Sequence, residues 1–187
     1  MTISPEDILT FWFDEAGPQK WFEQSDAFDE EVRERFGALT HQARDGKLET
    51  WSETPRGCLA LIILIDQFSR NIHRGSPLTW SADVHGLALT RLALDRGYDD
   101  ELNHEERKFL YMPLMHSEGI ADQDRSVALF QKLAADGAEN GEMTLDYAIR
   151  HRDIIAAYGR FPHRNEILGR ESTAEEIELL KDPNATF

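Results

Sequence analysis

Apolar residues recur along this chain at the spacing of a helix with one buried face, and nowhere do they alternate as in a half-buried strand. Ser4, Pro5, Glu6 and Asp7 make a helix start, because a serine hydroxyl accepts a free backbone N–H and proline needs no donor in the first turn. Ile8, Phe11 and Trp12 follow on one face. Ser25 opens a second helix through Phe28, Val32 and Phe36, past Leu39 and Ala43 to a stop at Gly46. The acids Asp26, Asp29, Glu30, Glu31 and Glu34 form its expected solvated face. Thr54 and Pro55 begin a third helix, 55–71, so apolar on all sides that it reads as the central rod.

Further helices are expected over about 78–96, closed by Gly97, over about 104–115, kinked by Pro113, and over about 123–135 and 142–158. Ser172 and Glu175 form a capping box for a short last helix. Short connections make sequential helices antiparallel neighbours, so the predicted fold is all-α, built of stacked antiparallel helical hairpins. A chain of 187 residues fits one compact domain, 1–187, with no linker to divide it. No clean repeat of about 34 residues is present to announce tetratricopeptide units.

Charge narrows the choice of partners. The 35 Asp and Glu against 20 Lys and Arg give a net charge of -15, which disfavours nucleic acid and anionic membrane surfaces. No stretch approaches the ~20 apolar residues of a membrane helix, and the start lacks the basic head and apolar run of a secretory signal. A soluble cytoplasmic protein is expected. The single cysteine, Cys58, excludes an internal disulfide and falls on an apolar face, where it reads as a buried spectator.

Against this acidic background, polar and cationic residues interrupt apolar helices in several places. In 66-DQFSRNIHRG-75, Asp66 and Arg70 stand four apart and can pair along the helix, or Arg70 and Asn71 can line a pocket. In 111-YMPLMHSEGI-120, His116 and Glu118 follow a hydrophobic turn that Gly119 ends, and His116 is placed as a general acid or base. His151 shares the buried face of Ile154 and Ile155, as a core histidine or as part of a site. The stretch 159-GRFPHRNEILGR-170 delivers Arg160, His163, Arg164 and Asn165 around one Phe-Pro turn. Guanidinium groups suit bidentate capture of carboxylate or phosphate, although nearby acids could instead consume them in internal pairs. No metal motif, phosphate loop or nucleophile elbow is present, so no metal and no cofactor is expected.

Taken together, FWF at 11–13, WF at 21–22, LALIILIDQFSRN at 59–71, FLYMPLMHSE at 109–118, DQDRSV at 122–127, HRDII at 151–155 and GRFPHRNEILGR at 159–170 are specific. They resemble an uncharacterised bacterial family, domain of unknown function 924. The family pattern carries proline where this chain has Ser69. The resemblance implies an all-helical fold of the tetratricopeptide-like superhelix type, and no reaction. The leading expectation is a pocket for a small anionic ligand in which Arg70, Arg160 and Arg164 bind the anion, with Asn71 and Asn165 in its lining. His116 or His163 donates a hydrogen bond or proton and Glu118 orients a histidine; hydrolysis or proton transfer is the chemistry such a pocket would support. The rival is a non-enzymatic scaffold that holds a protein or peptide partner against its stacked hairpins.

Overall fold

The helices at Pro5, Asp26 and Pro55 begin where Ser4, Ser25 and Thr54 were expected to start them. The structure, a computed structural model, describes residues 3–182, and among these no β-strand occurs. Backbone proximity divides the chain into two compact units, one running through Arg74 and resuming over Leu78–Pro113, the other comprising Gly75–Pro77 and the chain from Leu114 onward.

In the first unit, α1 (Pro5–Leu9) leads without a break into a π-helical stretch, Thr10–Ala16, and then α2 (Gly17–Trp21). The N-cap hydroxyl of Ser25 accepts from Phe28 N at 3.3 Å and starts α3 (Asp26–Arg44). Thr54 caps α4 (Pro55–Ile62) by accepting from Gly57 N at 3.2 Å. The expected single rod continues from α4 through a second π stretch, Ile63–Phe68, into α5 (Ser69–Ile72). A π turn takes in one extra residue, and in a segment apolar on all sides that insertion leaves no mark on the hydrophobic period.

The rod is the core. Cys58 through Ile65 and Phe68 are all fully buried. Phe11, Phe36 and Phe68 pack ring to ring at 4.8 and 5.1 Å, and Trp12 meets Phe109 edge-on at 5.4 Å. Such pairs add about 0.5–1.5 kcal/mol each beyond the area they bury. α6 (Asp83–Asp95) starts later than the apolar pattern suggested, after a 3-10 turn at Pro77–Thr79, while α7 (His104–Met115) keeps its expected limits with Pro113 in its last turn.

One acid leaves its expected place. Asp29, assigned to the solvated face of α3, is 5% exposed. Its carboxylate accepts from Asn71 Nδ2 at 2.7 Å and from Arg74 Nε and Nη2 at 2.5 and 2.9 Å. Burial raises its pKa, but the hydrogen bonds from Arg74 and Asn71 outweigh that and hold the group below the usual carboxylate range. A helical wheel cannot show this, because the donors lie more than forty residues away.

The second unit is built on α8 (Ile120–Ala135) and α9 (Gly141–Tyr158), two packed helices joined by a short turn. At the turn a Cβ on Gly141 would stand 2.7 Å from Ala134 Cα, so only glycine allows this approach. Beyond α9, a 3-10 turn at Pro162–Arg164 leads to α10 (Asn165–Leu168) and α11 (Ala174–Leu179). The capping box of α11 is Thr173 with Glu176, one residue beyond the expected Ser172 and Glu175. Glu176 wins because it is buried and also accepts from Arg160 and Asn165. Phe130, Leu133, Ile155 and Phe161 fill the core of this unit. Among the described residues, no helix is long and apolar enough to cross a membrane.

Candidate functional site

Of the residues singled out from sequence, Arg70 and Asn71 belong to the first unit and His116, Glu118, Arg160, His163, Arg164 and Asn165 to the second. Asn71 is spent on Asp29. Arg70 donates to the carbonyl of Asp66 at 2.6 Å and faces the carboxylates of Asp66 and Asp83, each at 3.2 Å. The ion pair expected along the helix is therefore present, and it has a second acid from α6.

In the second unit, α7 ends at Met115, which puts His116 and Glu118 on a turn rather than a helix. Gln123 fixes that turn from inside α8 by donating to the carbonyls of Met115 and Ser117, both at 2.6 Å. Ser117 closes it by donating to Asp122 Oδ2 at 2.8 Å.

Two carboxylates and two arginines then lock the chain around Phe161. Glu118 accepts from Phe161 N at 2.8 Å and from Arg170 in a fork, at 2.8 and 3.0 Å. Arg170 also donates to the Phe161 carbonyl at 2.9 Å and to Asn165 Oδ1 at 2.8 Å. Glu176 receives the fork of Arg160 at 2.6 and 2.8 Å, Thr173 N at 2.8 Å and Asn165 Nδ2 at 3.2 Å. The hydrogen bond from Arg160 is the largest of the influences that hold the Glu176 carboxyl down to about 2. For Glu118, burial pushes upward, but Arg170 and the Phe161 amide prevail and the group stays below its ordinary value.

Glu118, expected to orient a histidine, thus binds a main-chain amide and an arginine. Arg160, expected to bind an anion, faces Glu176, and Asn165 joins the two ion pairs. Arg170 and Glu176, absent from the sequence-based selection, are the members that complete this framework.

Inside the framework lies a cluster of imidazoles and one guanidinium. The Arg164 guanidinium stacks over the Phe161 ring at 4.5 Å and donates to the His116 carbonyl at 3.0 Å. His163 and His151 flank the same ring at 5.6 and 5.5 Å, and the rings of His116 and His151 stand 6.3 Å apart. His151 donates from Nδ1 to the Tyr147 carbonyl at 2.8 Å, which fixes the tautomer of the neutral ring. Burial foremost, then the charges of His116 and Arg164, push His151 down to about 3. Burial and Arg164 push His163 down to about 4, against a smaller opposing pull from Glu118. Both rings are neutral at pH 7, and each then offers one donor and one acceptor. Among the described residues, no group of three or more His, Cys, Asp or Glu is placed to hold a metal ion.

The fold and this cluster define an all-helical protein whose second unit carries an arginine and histidine centre braced by paired carboxylates. A family profile described as bacterial protein of unknown function (DUF924) matches residues 8–184. The chain belongs to that family. Its fold is shared with a protein of unknown function from Agrobacterium tumefaciens, 39% identical, at a TM-score of 0.88 over 95% of this chain and 97% of that one. No curated protein matches the chain.

Proposed function

We propose that the second unit binds a small oxyanion, a carboxylate or a phosphate, at His116, His163 and Arg164 beside Phe161, with His151 beneath them. The supporting observation is the gathering of one guanidinium and three imidazoles around a single ring: Arg164 stacks on Phe161 at 4.5 Å and donates to the His116 carbonyl, and its charge helps to depress the pKa values of His151 and His163. A bound anion would reverse that depression, because it stabilises the protonated rings. Glu118, Arg160 and Asn165 serve this reading as framework that sets the positions of Phe161 and Arg164.

Binding is favoured over hydrolysis on magnitude. A ring with a pKa of about 4 is a weak general base and is almost never protonated at neutral pH, so it acts as a hydrogen-bond partner. The test is isothermal titration and thermal shift with inorganic phosphate, acetate and citrate, since an anion at about 100 times its Kd adds about 2.7 kcal/mol. Arg164→Lys, which keeps the charge and removes the fork, and His163→Gln should each weaken the response. Folded protein that no anion stabilises would overturn the reading. Peptide binding in such a protein would favour the scaffold.

A further inference from the structure

Outside that cluster, the first unit contains buried polar atoms that none of the described residues satisfies. Thr40 and Arg44 stand one helical turn apart on α3, and Ser69 and His73 stand one turn apart on and just beyond α5, the helix packed against α3. Thr40 Oγ1, Arg44 Nη1, Ser69 Oγ and His73 Nε2 are all buried without a hydrogen-bond partner. Burying a polar group without a partner is costly, so four on two touching helices call for an occupant.

The chemistry of the set points to the occupant's charge. Arg44 donates its other terminal nitrogen to the Ser81 hydroxyl, not to an acid. The rings of His41 and His73 lie 5.5 Å apart. Arg33 sends Nη2 to the Ile72 carbonyl at 3.0 Å and pairs outward with Glu30. The acid beside Arg44 in sequence, Asp45, is exposed and pairs with Lys47 at 2.8 Å. The facing surfaces of the two helices therefore carry two hydroxyls, a guanidinium and imidazoles with no carboxylate among the described residues hydrogen-bonded to any of them, in a chain of net charge -15. Burial, with the charges of Arg44, His41 and Arg33, pushes His73 down to about 4. Asp45 acts on Arg44 and His41 by charge, without a hydrogen bond to either, so the hydrogen-bond donors of the set still face an acceptor of negative charge best.

We propose that the facing surfaces of α3 and α5 form a second site, for an oxyanion of the phosphate or sulfate class, held by Arg44, His73 and the hydroxyls of Thr40 and Ser69. The anion accepts from all four, and the exposed His41 ring lies beside His73. This site stands apart from the Arg164 cluster in residues and in chemistry, because it uses hydroxyls in place of a stacked aromatic ring.

The experiment follows the ring resonances of His73 by NMR in full-length protein. Inorganic phosphate or sulfate is titrated at constant ionic strength against chloride. The expected result is a saturable shift of His73 with a rise of its pKa toward the ordinary histidine range, reduced in affinity by at least about tenfold in Arg44→Gln. Thr40→Val, which keeps the shape and removes the hydroxyl, should weaken binding several-fold and serves if the arginine variant does not fold. Resonances of His163 in the same spectra report the other cluster, so failure at one centre is read separately from failure at the other. A His73 signal that does not saturate, that follows chloride equally, or that is unaltered in affinity by both substitutions overturns the proposal.

Discussion

His151 makes the stability of this protein sensitive to mild acid, and the size of the effect follows from its burial. The ring is 5% exposed, and its pKa falls from an ordinary 6.5 to about 3 on folding. Below pH 6.5 the unfolded chain therefore takes up a proton that the native ring refuses, so stability present above that pH is lost as the pH falls. At pH 5 the unfolded ring is almost fully charged and the native ring still neutral, which gives a loss of about 2 kcal/mol relative to pH 8. The figure depends little on the depth of the native pKa, since any value well below 5 gives the same result. The carboxylates held low by arginine contribute little in this window, because their unfolded counterparts titrate near pH 4.

The perturbation is His151→Gln, which can still donate toward the Tyr147 carbonyl but cannot titrate. The assay is urea unfolding at a series of pH values from 8 to 5, followed by tryptophan fluorescence. The variant should start less stable at pH 8 and converge on the wild type by about 2 kcal/mol as the pH reaches 5. Residual decline in both is expected from His163 and His73, each depressed to about 4. Parallel curves for the two proteins, or a His151 ring that titrates near 6.5 by NMR, would contradict a histidine buried in its neutral form.

Other substitutions test the framework. Glu176→Gln should cost about 3 kcal/mol in urea unfolding, because it strips the charge from a buried acceptor of Arg160, Asn165 and Thr173. Gly141→Ala should lower stability by about 1–3 kcal/mol, since its Cβ meets the backbone of Ala134 and must push α8 and α9 apart at their turn. Cys58 is fully buried and burial raises its thiol to about 12, so a disulfide reagent should label it only at the rate of unfolding. Prompt labelling in native conditions would contradict the placement.

The helical architecture was legible where helix starts carry a local signal and where the apolar period is long. Ser25 and Thr54 cap where their hydroxyls indicate, and the apolar run from Cys58 to Ile65 could only be a buried rod. What depended on long-range pairing was not legible. Asp29 and Glu176 are both acids on helices with exposed neighbours, and nothing local tells that one meets Arg74 and the other Arg160. The same holds for the candidate site: the stretch around Phe161 announced a concentration of cations, but that Arg160 reaches Glu176 of α11 and that Arg164 stacks on Phe161 depends on how the turn at Pro162 and α11 are placed. Arg170 closes the quoted stretch and could have been weighed with the others. Its fork on Glu118 spans more than fifty residues, beyond any spacing rule.

The π turn at Ile63–Phe68 sets the rotational phase of everything the central rod carries after it. A π turn holds one residue more than an α turn, so this stretch absorbs that residue at nearly unchanged rotation. Were the rod to wind as an ordinary α-helix at its present length, that residue would add about 100° of rotation. Arg70, Asn71 and Arg74 would be swung away from Asp83 and Asp29 while every side chain among them stayed the same. Winding in this apolar segment is thus under tighter constraint than composition: exchange of one aliphatic residue for another changes the packing, whereas loss of the wide turn would misdirect the polar contacts made beyond it.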